Sequence, residues 1–522
     1  MLLPVAAVAL AAIAADGNRT SDSSHAPSLE HAVSLYRQGL QDAAAAEYKA
    51  IIVAGSRAAE AYAGLARVYI KTGKIEDADA ASTKALELAP DLTDAHVARG
   101  EVLFRQGKIG EAEQEFAVMI RKGTLNARAY LGEARVSSAS FFYKQAKQMI
   151  NMAYGLDHDD PEIRSLRAST FTVKERIQDL QENLPADAAA DTPEQSDRRK
   201  LANVFKNDSA EPSHACTLVT NTKSSQTDLW KLNSEPGHIG GYGLRVQVND
   251  VPLMMIVDTR RSGILIDQAV AARSNVRRVR NVEFAGSGDR APSAGYQGVA
   301  SSLKIADFEF KDCYVNVVEK NSALGQDGVI GADVFSDFLL DLDFAGETFS
   351  LSALPPSPNL PETTPTLTTD IFAPPLLRDR YIAPAMKSFV PAFRFGDQLL
   401  VSTGVNNSPP ALFMLATGSA RSSISIPLAK GFTAASLTGS RRTQGYDGEV
   451  KTVYIADDVN FSFGNIKQRD AEVFAEDLSR LSNNFGTEIS GILGLSSLQK
   501  MDIKIDFRDG LVQFNFDADR RR

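Results

Sequence analysis

An internal repeat constrains this chain more than any other feature. Between residues 25 and 160, one pattern of small and apolar positions returns about every 34 residues. The second copy, AEAYAGLARVYIKTGKIEDADAASTKALELAPD, shows it most clearly. Tyr62, Leu65, Ala66 and Tyr69 share one face of a first helix, and Ala78, Ser82 and Ala85 share one face of a second. Gly73 lies in the turn between them, where a positive φ is cheap, and Pro90 stops the second helix. The first copy repeats these positions with Ala32, Leu35, Gly39, Ala44 and Tyr48, the third with Gly100, Leu103, Gly107, Ala112 and Phe116. The fourth offers Tyr130, Ala134, Ala146, Ile150 and Ala153, but Phe141 stands where the turn glycine belongs. A lone hairpin of this kind cannot bury its apolar face, whereas stacked neighbours share a continuous core. The sequence thus predicts an N-terminal α-solenoid. Residues 161–184, with Ile163, Leu166, Ile177 and Leu180, predict one further helix that caps it.

These copies resemble tetratricopeptide repeats. The resemblance implies a concave groove that docks a protein or peptide, with a rigid spacer as the alternative. No residue of the array suggests a chemical role.

The rest of the N-terminal half sets the context. The apolar run from Leu2 to Ala15 is too short to span a bilayer. Ala12 and Ala14 fit an A-x-A cleavage site, so residues 1–15 are expected to be a signal peptide, although a positive n-region is missing. An exported protein, bacterial periplasmic or extracellular, is the matching expectation. Cys216 and Cys313 lack the spacing of a structural zinc site, and a disulfide and two buried thiols are both open to them. A net charge of -9 disfavours nucleic acid and anionic membrane as main partners. The local cluster Arg273, Arg277, Arg278 and Arg280 reads as solvated surface charge. Residues 185–236 are rich in Pro, Ala and charge at their start and read as a linker, with Trp230 packing it onto the next domain.

From Gly241 the periodicity becomes that of β structure. YGLRVQVNDVPLMMIVDT is a hairpin turning at Asn249-Asp250, and its second strand runs apolar up to Asp258. One order of features then occurs twice. LMMIVDTRRSGILID opens the first half, a glycine-rich stretch and strands follow, and DGVIGADVFSDFLLDLDF closes it. LFMLATGSARSSISI opens the second half, and SGILGLSSLQKMDIKIDF closes it. The closing segments align, GVIGADVF with GILGLSSL.

This duplicated order resembles the aspartic peptidases, specifically a tandem of retropepsin-like lobes. The resemblance implies an all-β bilobal acid-protease fold, with one lobe over 237–354, an interlobe linker over 355–390 and a second lobe over 391–517. In that family each lobe brings an Asp-Thr/Ser-Gly loop, a flap hairpin and a bracing glycine turn. Asp258 and Thr259 fall on the first loop, with Arg260 in the glycine position, and Ala416, Thr417 and Gly418 fall on the second. Gly331 and Gly494 fall on the bracing turns, and Tyr296 on the flap, where an ordinary strand tyrosine is the alternative.

The family's reaction needs two carboxylates that share one proton, one acting as base toward a water and the other as acid toward the peptide carbonyl. Alanine at 416 cannot share a proton. Arginine at 260 is hard to place where the two loops approach back to back. Rescue by Asp447, or by pairing Asp258 of two copies, is conceivable. No cofactor or metal is expected: the histidines are scattered, and there is no HExxH helix, no G-x-S-x-G elbow and no P-loop. The leading expectation is an exported pseudopeptidase that grips extended peptide in its cleft and docks a protein on its array. The alternatives are an active aspartic endopeptidase with an unusual site, and a scaffold with a purely structural β module.

Overall fold

The computed structural model describes residues 26–55, 57–182, 184–210, 216–235, 238–284, 293–318, 326–358, 366–369, 378–431, 441–444 and 450–516. The expected signal peptide, the glycine-rich stretch around Ser287, Asp447 and the arginines at 520–522 lie outside them. Two compact units form. One runs to Val136 and adds Ala146–Arg167 and Phe485–Glu488; the other takes Ser137–Gln145, Ala168–Asn484 and the chain from Ile489 onward.

The repeat folds as four helical hairpins: α1 (Leu29–Arg37) with α2 (Gln41–Ala54), α3 (Ala58–Lys71) with α4 (Ile75–Leu88), α5 (Thr93–Arg105) with α6 (Ile109–Arg121), and α7 (Ala127–Ala139) with α8 (Tyr143–Leu156). Gly39, Gly73 and Gly107 take φ of 79°, 73° and 77° in the turns of the first three hairpins, as expected. Close packing between hairpins explains other glycines. A Cβ at Gly64 would lie 2.2 Å from the Tyr48 ring, and one at Gly132 would lie 2.3 Å from the Phe116 ring. Each aromatic therefore wedges against a neighbouring helix that has no side chain there.

The fourth turn departs from the pattern for a physical reason. Phe141 holds a φ of 66°, costly for a bulky side chain, and is 1% exposed in the core of the second unit. Its ring occupies the place a Cβ on Gly510 would need, and the Arg380 guanidinium sits 5.4 Å from its centroid. Burial of a phenylalanine, worth about 1.5–3 kcal/mol, offsets the backbone strain.

Two expectations need correcting. The single capping helix is two helices, α9 (Pro161–Ser169) and α10 (Val173–Gln181), because Thr172 and Glu175 form a reciprocal capping box that starts a new helix. Residues 185–236 are not a linker. They hold α11 (Pro193–Ala210), β1 (Cys216–Leu218) and β2 (Ser224–Glu235). The helix start is again a local cap: Thr192 Oγ1 accepts from the Gln195 N–H, and Gln195 Oε1 accepts from the Thr192 N–H. Trp230 is a strand residue on β2, 43% exposed, with the Arg245 guanidinium 4.6 Å from its ring.

The first lobe continues with β3 (His238–Val248), β4 (Val251–Asp258), β5 (Ile264–Asp267), α12 (Gln268–Arg273), β6 (Arg277–Phe284), β7 (Ser293–Ile305), β8 (Phe308–Val318), β9 (Gly328–Gly331), β10 (Phe338–Asp343) and β11 (Thr348–Ala353). After β12 (Thr366–Leu367), the second lobe has β13 (Val390–Phe395), β14 (Gln398–Val405), β15 (Ala411–Leu415), β16 (Ser423–Ser425), β17 (Arg441–Gln444), β18 (Val450–Phe463), β19 (Ile466–Glu476), β20 (Gly491–Leu493), β21 (Met501–Asp506) and β22 (Leu511–Phe516). The duplication shows in the pairing. β4 runs parallel to β9 as β15 does to β20, and β5 runs parallel to β8 as β16 does to β19.

One sheet joins the lobes in the order β2-β11-β10-β21-β22-β13. At its centre Leu340 pairs with Ile505, Asp341 with Lys504, and Leu342 with Ile503. That register maps onto itself when the lobes are exchanged, so the pseudo-twofold axis passes between Asp341 and Lys504, whose charged atoms are 3.1 Å apart. Phe338, Leu340, Leu342, Met501, Ile503 and Ile505 alternate into the core. Cys216 and Cys313 form a disulfide that ties β1 to β8. No helix among the described residues is long and apolar enough to cross a membrane.

Candidate functional site

The two loops after β4 and β15 meet at the pseudo-twofold axis. Parallel pairing aligns Asp258 with Gly331, and the Ala416 N–H donates to the Leu493 carbonyl at 2.9 Å, just before Gly494. Asp258 and Ala416 are therefore equivalent positions. The threonines that follow them lock the loops together. The Thr259 N–H donates to Thr417 Oγ1 at 3.0 Å, and the Thr417 N–H donates to Thr259 Oγ1 at 3.1 Å. Each hydroxyl then donates across the axis, Thr259 to the Leu415 carbonyl at 2.6 Å and Thr417 to the Val257 carbonyl at 3.0 Å. Both threonines are buried, so every polar atom in this lock is satisfied from the opposite lobe.

Bracing turns hold the loops from behind. A Cβ on Gly331 would sit 2.2 Å from the Arg261 carbonyl oxygen, and one on Gly494 would sit 2.3 Å from the Arg421 carbonyl oxygen. In the first lobe Asp333 accepts from the Ser262 hydroxyl at 2.5 Å and from the Gly263 N–H at 3.2 Å. Burial pushes the Asp333 carboxyl up to about 6, with Asp397 adding to the rise and Ser262 opposing it. In the second lobe the matching residue is Ser496, whose hydroxyl accepts from the Ser422 N–H at 2.9 Å. Sequence reasoning missed these braces, although aligning GVIGADVF with GILGLSSL already set Asp333 opposite Ser496.

Around the single carboxylate the twofold breaks. Asp258 is 4% exposed. Its Oδ1 accepts from the Arg260 N–H at 2.9 Å and the Gly418 N–H at 3.2 Å, and the Arg260 guanidinium lies 3.4 Å from both carboxylate oxygens. Gln398 holds the loop by donating to the Arg260 carbonyl at 2.9 Å. A Cβ on Gly418 would lie 2.3 Å from Asp258 Cγ, so glycine is required there. By the same twofold, the Cβ at position 260 points toward the side chain at 416, where alanine offers only a methyl group. Arg260 therefore faces a small side chain across the axis. Positions 260 and 416 are thus neighbours by the twofold relation, as Gly418 and Asp258 are.

Tyr296 is 7% exposed in the first lobe's core, opposite Asn281 and Val317, with the Arg278 guanidinium 4.4 Å from its ring. That is the packing of an ordinary strand tyrosine.

The helical unit has its own charged centre, carried by the first helix of each repeat. Arg67 on α3 and Arg128 on α7 each reach Glu101 on α5 at 2.8 Å. Arg128 also meets Asp160 at 2.9 Å, and Glu162 on α9 takes Lys71 at 3.0 Å and Arg135 at 2.5 Å. The Tyr36 hydroxyl on α1 donates to Glu162 at 2.9 Å, across 126 residues of sequence. Burial alone would raise the Glu162 carboxyl, but Arg128, Arg135 and Lys71 outweigh it and hold it well below the carboxylate range. Glu101 is lowered in the same way, burial being overcome by Arg128 and Arg67.

Comparison with known proteins places both parts. Residues 244–334 match the family described as aspartyl protease. The helical region is similar to DnaJ homolog subfamily C member 3 of Mus musculus, 26% identical over 166 residues, which is 29% of this chain and 30% of that protein. The Rattus norvegicus protein of that name is 24% identical over 174 residues, 30% of this chain and 32% of its own length. The match thus spans about a third of these curated relatives. An aspartic proteinase from Irpex lacteus superposes with a TM-score of 0.34 at 10% identity, covering 57% of this chain and 98% of that one. So loose a superposition carries no weight beside the sheet register described above. The chain is a multidomain α + β protein in which a tetratricopeptide-type helical array is fused to a module of aspartic-peptidase type.

Proposed function

We propose that this protein is an exported pseudopeptidase that binds an extended peptide between its two lobes without cutting it, while the array docks a protein. One observation carries the reading. Ala416 is 0% exposed at the position equivalent to Asp258, between loops whose threonine lock is intact. A site with one carboxylate cannot pass a proton from one acid to the other, and Asp258 already accepts two amide N–H groups beside a guanidinium. Main-chain gripping of a strand needs no dyad. Pairing of Asp258 with a second copy finds no support, since that carboxylate is buried within one module. The disulfide between Cys216 and Cys313 supports an oxidising address.

The test is a cleavage assay from about pH 3 to 7, the range in which carboxylate dyads titrate. It uses an unstructured protein substrate with wild type, Asp258→Asn, and the Arg260→Gly/Ala416→Asp double variant. Wild type is expected to be silent, and the double variant is the one that could cut. Cleavage by wild type that Asp258→Asn abolishes would sink the proposal and revive the active-endopeptidase reading.

A further inference from the structure

We infer that the segment bound between the lobes is acidic. This rests on the peptide-binding reading and adds the chemistry of the ligand. Each lobe has a stretch that runs from its active loop to the outer strand of the hairpin that follows. In the first lobe, residues 258–284 contain six arginines against three acids. In the second, residues 416–444 contain four cations and no acid. The chain as a whole carries -9, so two equivalent stretches are strongly basic in an acidic protein. The sequence reading took the arginine cluster of the first lobe as solvated surface charge. Its recurrence at the equivalent place in the second lobe argues for a shared role.

The geometry gives that charge a direction. Arg260 lies at the meeting of the loops, against Asp258. Arg261 follows on the same loop, and Arg421 lies five residues after Ala416 on the other. Arg261 and Arg421 have no carboxylate partner among the described residues; Arg421 instead stacks 5.0 Å from the Phe474 ring. The loops thus hold three guanidinium groups and one carboxylate where the peptidase pattern has two carboxylates. β6 pairs only with β7, and β17 only with β18, among the described residues. β6 opens with two arginines, Arg277-Arg278. A free strand edge recruits an extended segment through main-chain hydrogen bonds, and flanking cations select carboxylate side chains on it.

The experiment is fluorescence anisotropy with full-length protein and three labelled extended peptides, in which valine alternates with Glu, Gln or Lys. The Glu peptide is expected to bind about tenfold or more tighter than the Gln peptide at low salt, with the gap closing as salt rises. Arg260→Gln/Arg261→Gln is expected to erase that preference, so that the Glu and Gln peptides bind that variant alike. Arg277→Gln/Arg278→Gln is expected to narrow the gap between the Glu and Gln peptides, no narrowing would remove the β6 edge from the site, and melting curves check that each variant folds. Equal binding of Glu and Gln peptides would overturn the acidic preference and leave the cleft reading standing. Binding of no peptide at all would overturn both. Equal competition by a single-stranded oligonucleotide of similar length would make the surface a general polyanion binder and overturn the assignment to an acidic protein segment.

Discussion

The charged centre of the helical array and that of the β module handle arginine in opposite ways. In the array, Arg67, Lys71, Arg128 and Arg135 are met by Glu101, Asp160 and Glu162, and the network links α1 to α9. In the β module, Arg260 faces one carboxylate, while Arg261 and Arg421 face none among the described residues. Charge that is paired internally is tied to stability, because removing one partner strands the other in low dielectric. Charge left unpaired at the meeting of two loops is available to a ligand. The same residue type thus closes a network in one unit and, in the proposal above, meets a ligand in the other.

Arg128→Ala should give the largest effect and breaks the comparison most directly. It leaves the buried Asp160 without its cation and takes one cation each from Glu101, which keeps Arg67, and Glu162, which keeps Lys71 and Arg135; a loss of about 3–5 kcal/mol is expected from chemical denaturation followed by far-UV dichroism. A loss below about 1 kcal/mol would mean the network is solvated like surface pairs.

The opposite pH dependence of the two units comes next. Asp333 in the β module has a carboxyl raised to about 6, so its folded form holds a proton the unfolded chain has released. Its contribution is complete below about pH 4 and is lost as pH rises to about 6, on the order of 3 kcal/mol. Glu101 and Glu162 are lowered, so theirs is present above about pH 4.5 and is lost as pH falls below that. Trp230, the only tryptophan, lies on β2 and reports the β module by fluorescence, while helical dichroism weights the array. The two signals should respond to acid with opposite signs; burial also raises Asp502 to about 6 and Asp506 to about 7 in the β module, so Asp333→Asn should reduce the fluorescence trend without abolishing it.

A smaller effect tests the coupling of positions 260 and 416. Ala416→Asp alone should lower stability by roughly 1–3 kcal/mol through overpacking against Arg260, and adding Arg260→Gly should restore it. Additive effects of the two changes in a denaturation cycle would refute the steric link.

Much was legible from the sequence. The repeat, the duplication and the placing of Ala416 opposite Asp258 follow from patterns a few tens of residues long. Local capping boxes at Thr172 and Thr192 were legible too, but the composition of 185–236 outweighed them in a reading built on apolar runs. The sequence by itself thus determined the two architectures, because periodicity and motif order are local properties of a chain. Only the tertiary structure decided that the Gly418 N–H reaches Asp258, that Phe141 replaces a turn glycine to fill the core of the second unit, and that Tyr36 reaches Glu162. Those outcomes depend on which side chains meet across more than a hundred residues, and close packing and ion pairing set that only after the elements have assembled.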